Sequence, residues 1–347
     1  MMRTPPSLLR RTTAMVGGVA VLLAGVSTTA PSAASAATAG PVFSELSLDH
    51  DVNTWTTSTC TRGQETVVNP ATMTLGDNGS VRSGASRQQT FTAIAAVPDT
   101  MAVSVAQSAT ASASTRSGRP AGLRLDFGGT GRAGAALPQA ACSGVGSAQS
   151  TMSFSFAIAR PMWATLGYVK RGDTFTEIFL TGTGRGSRPY EDLYGQLLKG
   201  SGSTTVLLPA GEYEGYLQGS TELTETFASK AVTGGGTLTI GFAEPGSALA
   251  APSGTATRSV SLGSARSCAV HGLSGRLSRS AKRIAAIKKV SFAVNGTTVK
   301  SLSGRKLKRG LAVRLPIADE AGAMVRATVK LKNGVTRTVS ASYRACA

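Results

Sequence analysis

Two antiparallel β-sandwiches in series, the first large and nearly neutral, the second small and strongly cationic, are what three features of the sequence predict. Apolar residues recur at every second position in many short runs, the period of a strand with one buried face. Gly, Ser, Thr, Ala and Val dominate and aromatics make up only 5%, which suits strands and turns better than long helices. Charge, finally, divides the chain. From residue 251 onward 19 Lys and Arg face only Asp319 and Glu320, a balance of +17, whereas residues 40–250 carry 14 basic and 16 acidic residues. A length of 347 residues fits about two domains.

The N-terminus reads as a secretory signal. Arg3, Arg10 and Arg11 precede an apolar run, Ala14–Val26, too short to span a bilayer, and small residues follow at Ala34, Ser35 and Ala36. Residues 1–36 are therefore expected to be a signal peptide. Four cysteines agree with export. Of their three pairings, Cys60–Cys142 and Cys268–Cys346 are expected, because each then stays inside one domain. No pair has the close spacing of a zinc or redox site.

The first domain is expected over residues 40–245. Met152, Phe154, Phe156 and Ile158 alternate with Ser and Ala. Met162 to Tyr168, the run around Ile178 and Leu180, and Leu238 to Phe242 repeat that pattern. Tyr213 and Leu217 fall on one face of a strand, with Glu212, Glu214 and Tyr216 on the other. Thr90–Ile94, Met101–Val105 and Leu123–Phe127 alternate as well, and Pro189–Leu198 is read as strand because Gly195 argues against a helix. From Thr151 to Phe242 the chain resembles the jelly-roll modules of the pre-peptidase C-terminal type. The resemblance rests on the turn Leu208-Pro209-Ala210-Gly211-Glu212-Tyr213 and on Asp192-Leu193-Tyr194. It implies a jelly-roll-like fold and a non-catalytic accessory role in a secreted bacterial protein.

Residues 246–263 lose periodicity and are rich in Ala, Gly, Ser and Pro, the composition of a linker. The second domain, residues 264–347, shows clearer turns. Val290, Phe292 and Val294 lead into Asn295-Gly296, a hairpin signal. Leu311–Ile317 and Val325–Leu331 follow, and Asn333-Gly334 turns the chain into Val335–Tyr343. Such hairpins, closed by a disulfide, read as a small immunoglobulin-like sandwich. Val290-Ser291-Phe292-Ala293-Val294-Asn295-Gly296 also resembles the hairpin of bacterial Ig-like domains in secreted and wall-associated proteins.

Residue patterns speak against several chemistries. A Ser-His-Asp hydrolase lacks a Gly-x-Ser-x-Gly elbow, and the two histidines, His50 and His271, lie in different domains. Asp49, Asp51 and Asn53 open like a calcium loop, yet Thr54 stands where the tight turn needs Gly. Gly129–Gly134 matches the dinucleotide fingerprint, but no crossover helix has room before Pro138 and Cys142, so a loop is expected. Glu212 and Glu214 read as the wet face of a strand. Tyr190, Tyr194 and Tyr216 are candidates to stack on sugar rings. No cofactor is expected.

The cations form the remaining pattern. Arg276, Arg279, Lys282, Arg283, Lys288 and Lys289 cluster before and into the first hairpin, Arg305, Lys306, Lys308 and Arg309 form a basic loop, and Arg326, Lys330 and Lys332 alternate with apolar residues. This excess far exceeds what solubility needs. The expected partner is an anionic cell-wall polymer or an anionic lipid surface, with nucleic acid bound through phosphates as runner-up. The chain is thus expected to be a secreted, non-catalytic envelope-associated binding or accessory protein. The alternative is a secreted hydrolase or carbohydrate-binding protein with its site in the front domain.

Overall fold

The structure, a computed structural model, describes residues 43–54, 59–69, 72–94, 99–138, 140–172, 174–184, 195–196 and 201–346. The expected signal peptide, Tyr190 and Tyr194 lie outside them. The chain is all-β. Its first thirteen strands are β1 (Phe43–Asn53), β2 (Cys60–Val68), β3 (Met73–Leu75), β4 (Ser80–Ala93), β5 (Thr100–Arg116), β6 (Arg119–Ala135), β7 (Gly144–Ile158), β8 (Met162–Gly172), β9 (Thr174–Gly184), β10 (Gly195–Gln196), β11 (Ser201–Leu208), β12 (Gly211–Thr226) and β13 (Lys230–Ala243).

They build two antiparallel sheets, one in the order β10-β9-β12-β7-β1-β3 and the other β11-β8-β13-β6-β5-β4-β2. Between the sheets one apolar cluster gathers Leu46, Leu125, Met152, Phe156, Leu180 and Leu217, and a second gathers Phe91, Met101, Val103 and Leu223 around Cys60 and Cys142. Those two cysteines are bridged, with Cα atoms 5.9 Å apart. Where the clusters meet, a polar link crosses the interior: Gln107 Nε2 donates to the Asp49 carbonyl at 2.6 Å, and Ser150 Oγ donates to Gln107 Oε1 at 3.3 Å. Tyr213 and Leu217 point inward while Glu212 and Glu214 stay exposed, as their alternation predicts.

One expectation fails here. Gly129–Gly134 lies inside β6, paired with β5 throughout and with β13 as far as Ala133, and forms no loop. Its glycines let the two sheets close on each other. A Cβ on Gly129 would come within 2.6 Å of Thr221 Oγ1, and one on Gly131 within 3.0 Å of Leu223 Cβ, both on β12 of the facing sheet, closer than atoms pack.

The remaining elements are β14 (Val260–Leu262), β15 (Gly272–Leu277), α1 (Ala281–Ala286), β16 (Ile287–Val294), β17 (Thr297–Ser303), β18 (Ala312–Pro316), β19 (Ala323–Leu331) and β20 (Thr336–Tyr343). They form a three-stranded sheet, β14-β15-β18, and a four-stranded sheet, β17-β16-β19-β20. Phe292 and Tyr343, at 0% and 1% exposure, anchor the apolar cluster between them. Asn295 and Gly296 both have positive φ, 48° and 86°, the geometry of a tight hairpin turn. The short helix α1 interrupts the strand pattern; Ser280 caps it, its Oγ accepting from Arg283 N at 3.4 Å.

Residues 246–263, expected as a linker from composition, run along the free edge of β20. Leu249 N donates to Ser342 O at 2.8 Å, Ser253 and Ser340 exchange both backbone bonds, and Ala256 N donates to Thr338 O at 2.9 Å. Ala256, Val260 and Leu262 belong to the same apolar cluster as Phe292. Among the described residues no helix is long and apolar enough to cross a membrane.

Candidate functional site

Strand register sorts the cations of the small sandwich by end. At one end Val260 pairs with Leu277, Arg276 with Ala312, Lys289 with Ser303 and with Lys330, and Lys330 with Thr336. The segments joining these strand ends are laced together. Gly310 N donates to Ser278 O at 3.0 Å, Lys332 N to Ala286 O at 2.9 Å, and Arg283 Nη1 to Arg258 O at 3.2 Å. Twelve of the thirteen cations singled out from the sequence therefore share this end: Arg276, Arg279, Lys282, Arg283, Lys288, Lys289, Arg305, Lys306, Lys308, Arg309, Lys330 and Lys332. All are exposed. Arg326, the thirteenth, pairs with Ala293 near the other end of β19. Arg258 and Arg337, which no sequence pattern marked, join the cluster from the start of β14 and β20.

Among the described residues this pole has no counter-charge. Among the described residues the ion pairs are Arg87 with Asp51 and Glu65, Arg119 with Glu244, Arg124 with Asp126, and His271 with Asp319. None uses a cation of the pole. The two acids of the C-terminal region, Asp319 and Glu320, follow β18 at the opposite end, where Gly272 pairs with Pro316 and Ala323 with Tyr343.

That opposite end faces the first sandwich. Cys268 and Cys346 are bridged there, with Cα atoms 5.5 Å apart. Trp163 Nε1 of β8 donates to the Ala345 carbonyl at 2.9 Å, and Gly246 N donates to the same oxygen at 3.0 Å. Arg266, 3% exposed, binds the carbonyls of Ala318, Asp319 and Ala321 at 2.6, 3.0 and 2.9 Å. Burial pulls its guanidinium below the ordinary arginine value, against the opposing pull of Asp319.

Asp49, Asp51 and Asn53 occupy alternate positions of β1 and do not line a loop. Asp51 pairs with Arg87 at 3.6 Å, and Asn53 Oδ1 accepts from Arg62 Nη2 at 3.1 Å. Among the described residues no three His, Cys, Asp or Glu side chains gather as metal ligands. Tyr216 stacks on Phe179, its neighbour across β12 and β9, with centroids 5.1 Å apart. It lies on the outer face of the six-stranded sheet, where outward positions of β1, β9 and β12 carry Glu45, Asp49, Asp51, Glu177, Glu212, Glu214 and Glu222. Outward positions of β1, β7, β9 and β12 hold no Lys or Arg. On the other sheet Asp126 is held by Arg124 and by Thr237 Oγ1 at 2.6 Å. Burial works to raise its pKa, but the hydrogen bonds from Arg124 and Thr237 outweigh it and leave the carboxyl below its ordinary value.

Fold and site together define an all-β, disulfide-bridged protein with a cationic pole. No family profile and no curated protein matches the chain. Among solved structures, the adhesin domain of Epf from Streptococcus pyogenes is similar at 9% identity and a TM-score of 0.18, over 65% of this chain and 80% of that one. A score of that size establishes no common fold.

Proposed function

We propose that the chain is a secreted, non-catalytic binding protein whose small C-terminal sandwich retains it on an anionic polymer or lipid surface of the cell envelope. The observation that carries this reading is the pole of fourteen exposed cations, none of them in an ion pair among the described residues, at the end of the small sandwich remote from the first. Unpaired charges gathered on one surface sum to a field that draws polyanions without a shaped pocket. In this reading the front sandwich, jelly-roll-like as its Leu208–Tyr213 turn implies, is the accessory unit. The Ig-like unit begins near residue 247, because its core includes Ala256, Val260 and Leu262.

The test is co-sedimentation of the full chain with purified cell walls and with phosphatidylglycerol vesicles over rising salt. Binding that is strong at low salt and falls steeply as salt rises is expected. No sedimentation at low salt, or binding indifferent to salt, overturns the reading. Equal or tighter binding to duplex DNA than to either envelope surface would reassign the partner to nucleic acid.

A further inference from the structure

A cavity of about 420 Å³ opens between the two sandwiches, far from the cationic pole. Its apolar wall comes from Ile158, Pro161 and Met162 at the β7–β8 turn and from Pro245. Facing it are Arg266 and the Cys268–Cys346 bridge, so the second sandwich supplies the other wall. The Trp163–Ala345 hydrogen bond fixes the separation of the two. A groove at a junction between sandwiches, with an apolar wall and a few polar groups, is the usual setting of a small-molecule site.

The polar groups set the ligand class. Arg119 and Glu244 neutralise each other at the rim and also line a second cavity, of about 580 Å³, on their far side. Arg160 is exposed and has no hydrogen-bond or ion-pair partner among the described residues. Arg266 spends its two terminal nitrogens on three carbonyls, yet its Nε is buried without a partner. That nitrogen is shut off from the cavity by its burial, so Arg266 acts on a ligand through its charge from behind the wall. One free guanidinium, Arg160, with the buried charge of Arg266 behind the wall, suits a single negative charge, and Glu244 disfavours a second.

We propose that this cavity binds an organic monocarboxylate with a compact apolar body, its carboxylate on Arg160 in the field of the buried Arg266 and its body on Ile158, Pro161 and Met162. The site is independent of the polyanion reading, since it uses none of the pole's residues. Guanidinium suits this task because its planar donors match a carboxylate.

Calorimetric titration of the full chain with benzoate, 4-methylpentanoate and diethyl phosphate tests it. At least one carboxylate should bind saturably. Arg160→Ala should weaken that binding about tenfold, the order expected for one charge-assisted hydrogen bond. Ala269→Trp, at an exposed lining position, should fill the cavity and abolish binding while the melting temperature holds. Lys289→Glu with Lys330→Glu should leave it unchanged. Binding by neither carboxylate, binding by diethyl phosphate alone, or carboxylate affinity unaltered in both cavity variants overturns the proposal.

Discussion

Lys289 and Lys330 stand directly opposite each other across β16 and β19, both on the outer surface of the four-stranded sheet. Like charges facing across a sheet repel, at roughly 0.2–1 kcal/mol. Lys330→Glu should therefore stabilise the protein by that order at low salt in urea unfolding, while weakening its sedimentation with anionic vesicles. A variant that gains stability without losing surface binding would detach this pair from the proposed function.

Position should matter more than net charge. Arg305→Glu with Lys306→Glu and Lys300→Glu with Arg326→Glu change the formal charge equally, but only the first pair lies at the pole. Vesicle binding should fall severalfold further for the first, at the same salt. Arg258→Glu and Arg337→Glu should behave like pole residues. Equal losses in the two double variants would mean that the field is diffuse.

The Arg124–Asp126 contact contributes to acid resistance. Asp126 titrates lower in the folded chain than in the unfolded one, so its contribution is present above about pH 4, the unfolded carboxylate value. It is lost as pH falls through the lower folded value. Asp126→Asn should remove this pH dependence, which melting curves from pH 2 to 6 would show as a shallower slope than in the wild type.

At the alkaline end Tyr343 takes over. Burial pushes its phenol up to about 12, and the hydroxyl donates to the Gly263 carbonyl at 2.7 Å. The stability linked to it is present below about pH 10, the unfolded value, and is lost as pH climbs through the folded value. Tyr343→Phe should cost about 1 kcal/mol at neutral pH from the missing hydrogen bond and flatten the decline above pH 10. Unfolding followed by circular dichroism measures both.

Replacing Cys268 and Cys346 with serine opens a loop with a sequence separation of 78. A loss of about 4 kcal/mol is expected from the freed unfolded chain. Guanidinium titration of the oxidised and serine forms checks it.

Much of the fold was legible in the chain. Alternating Met, Phe and Ile in β7, the Asn295-Gly296 turn and both disulfide pairs follow from side-chain period, turn chemistry and cysteine spacing. The long strands β5 and β6 were seen only in fragments. The outward positions of β5 are Ala, Ser and Thr, from Ala102 to Ser112, which differ too little from the small inward alanines to mark a period. In β6 glycines that signal loops elsewhere serve close sheet contact. Residues 246–263 pair with β20 mainly through backbone and bury only the scattered Ala256, Val260 and Leu262, so their Ala, Ser and Pro show no period. As for the site, its cations were visible individually, but only register shows that residues as far apart as Arg276 and Lys332 meet at one end, and that Arg326 does not.

The pole's place at a tip, not on a flank, also sets a height. The eight residues of β16 separate the two ends of the small sandwich by about 25 Å at ~3.3 Å per residue. Physiological salt screens charge beyond about 8 Å. A molecule standing on its cationic tip thus carries Glu45, Glu212, Glu214 and their acidic neighbours clear of the very surface that would repel them, as a mast keeps its lamp above the spray.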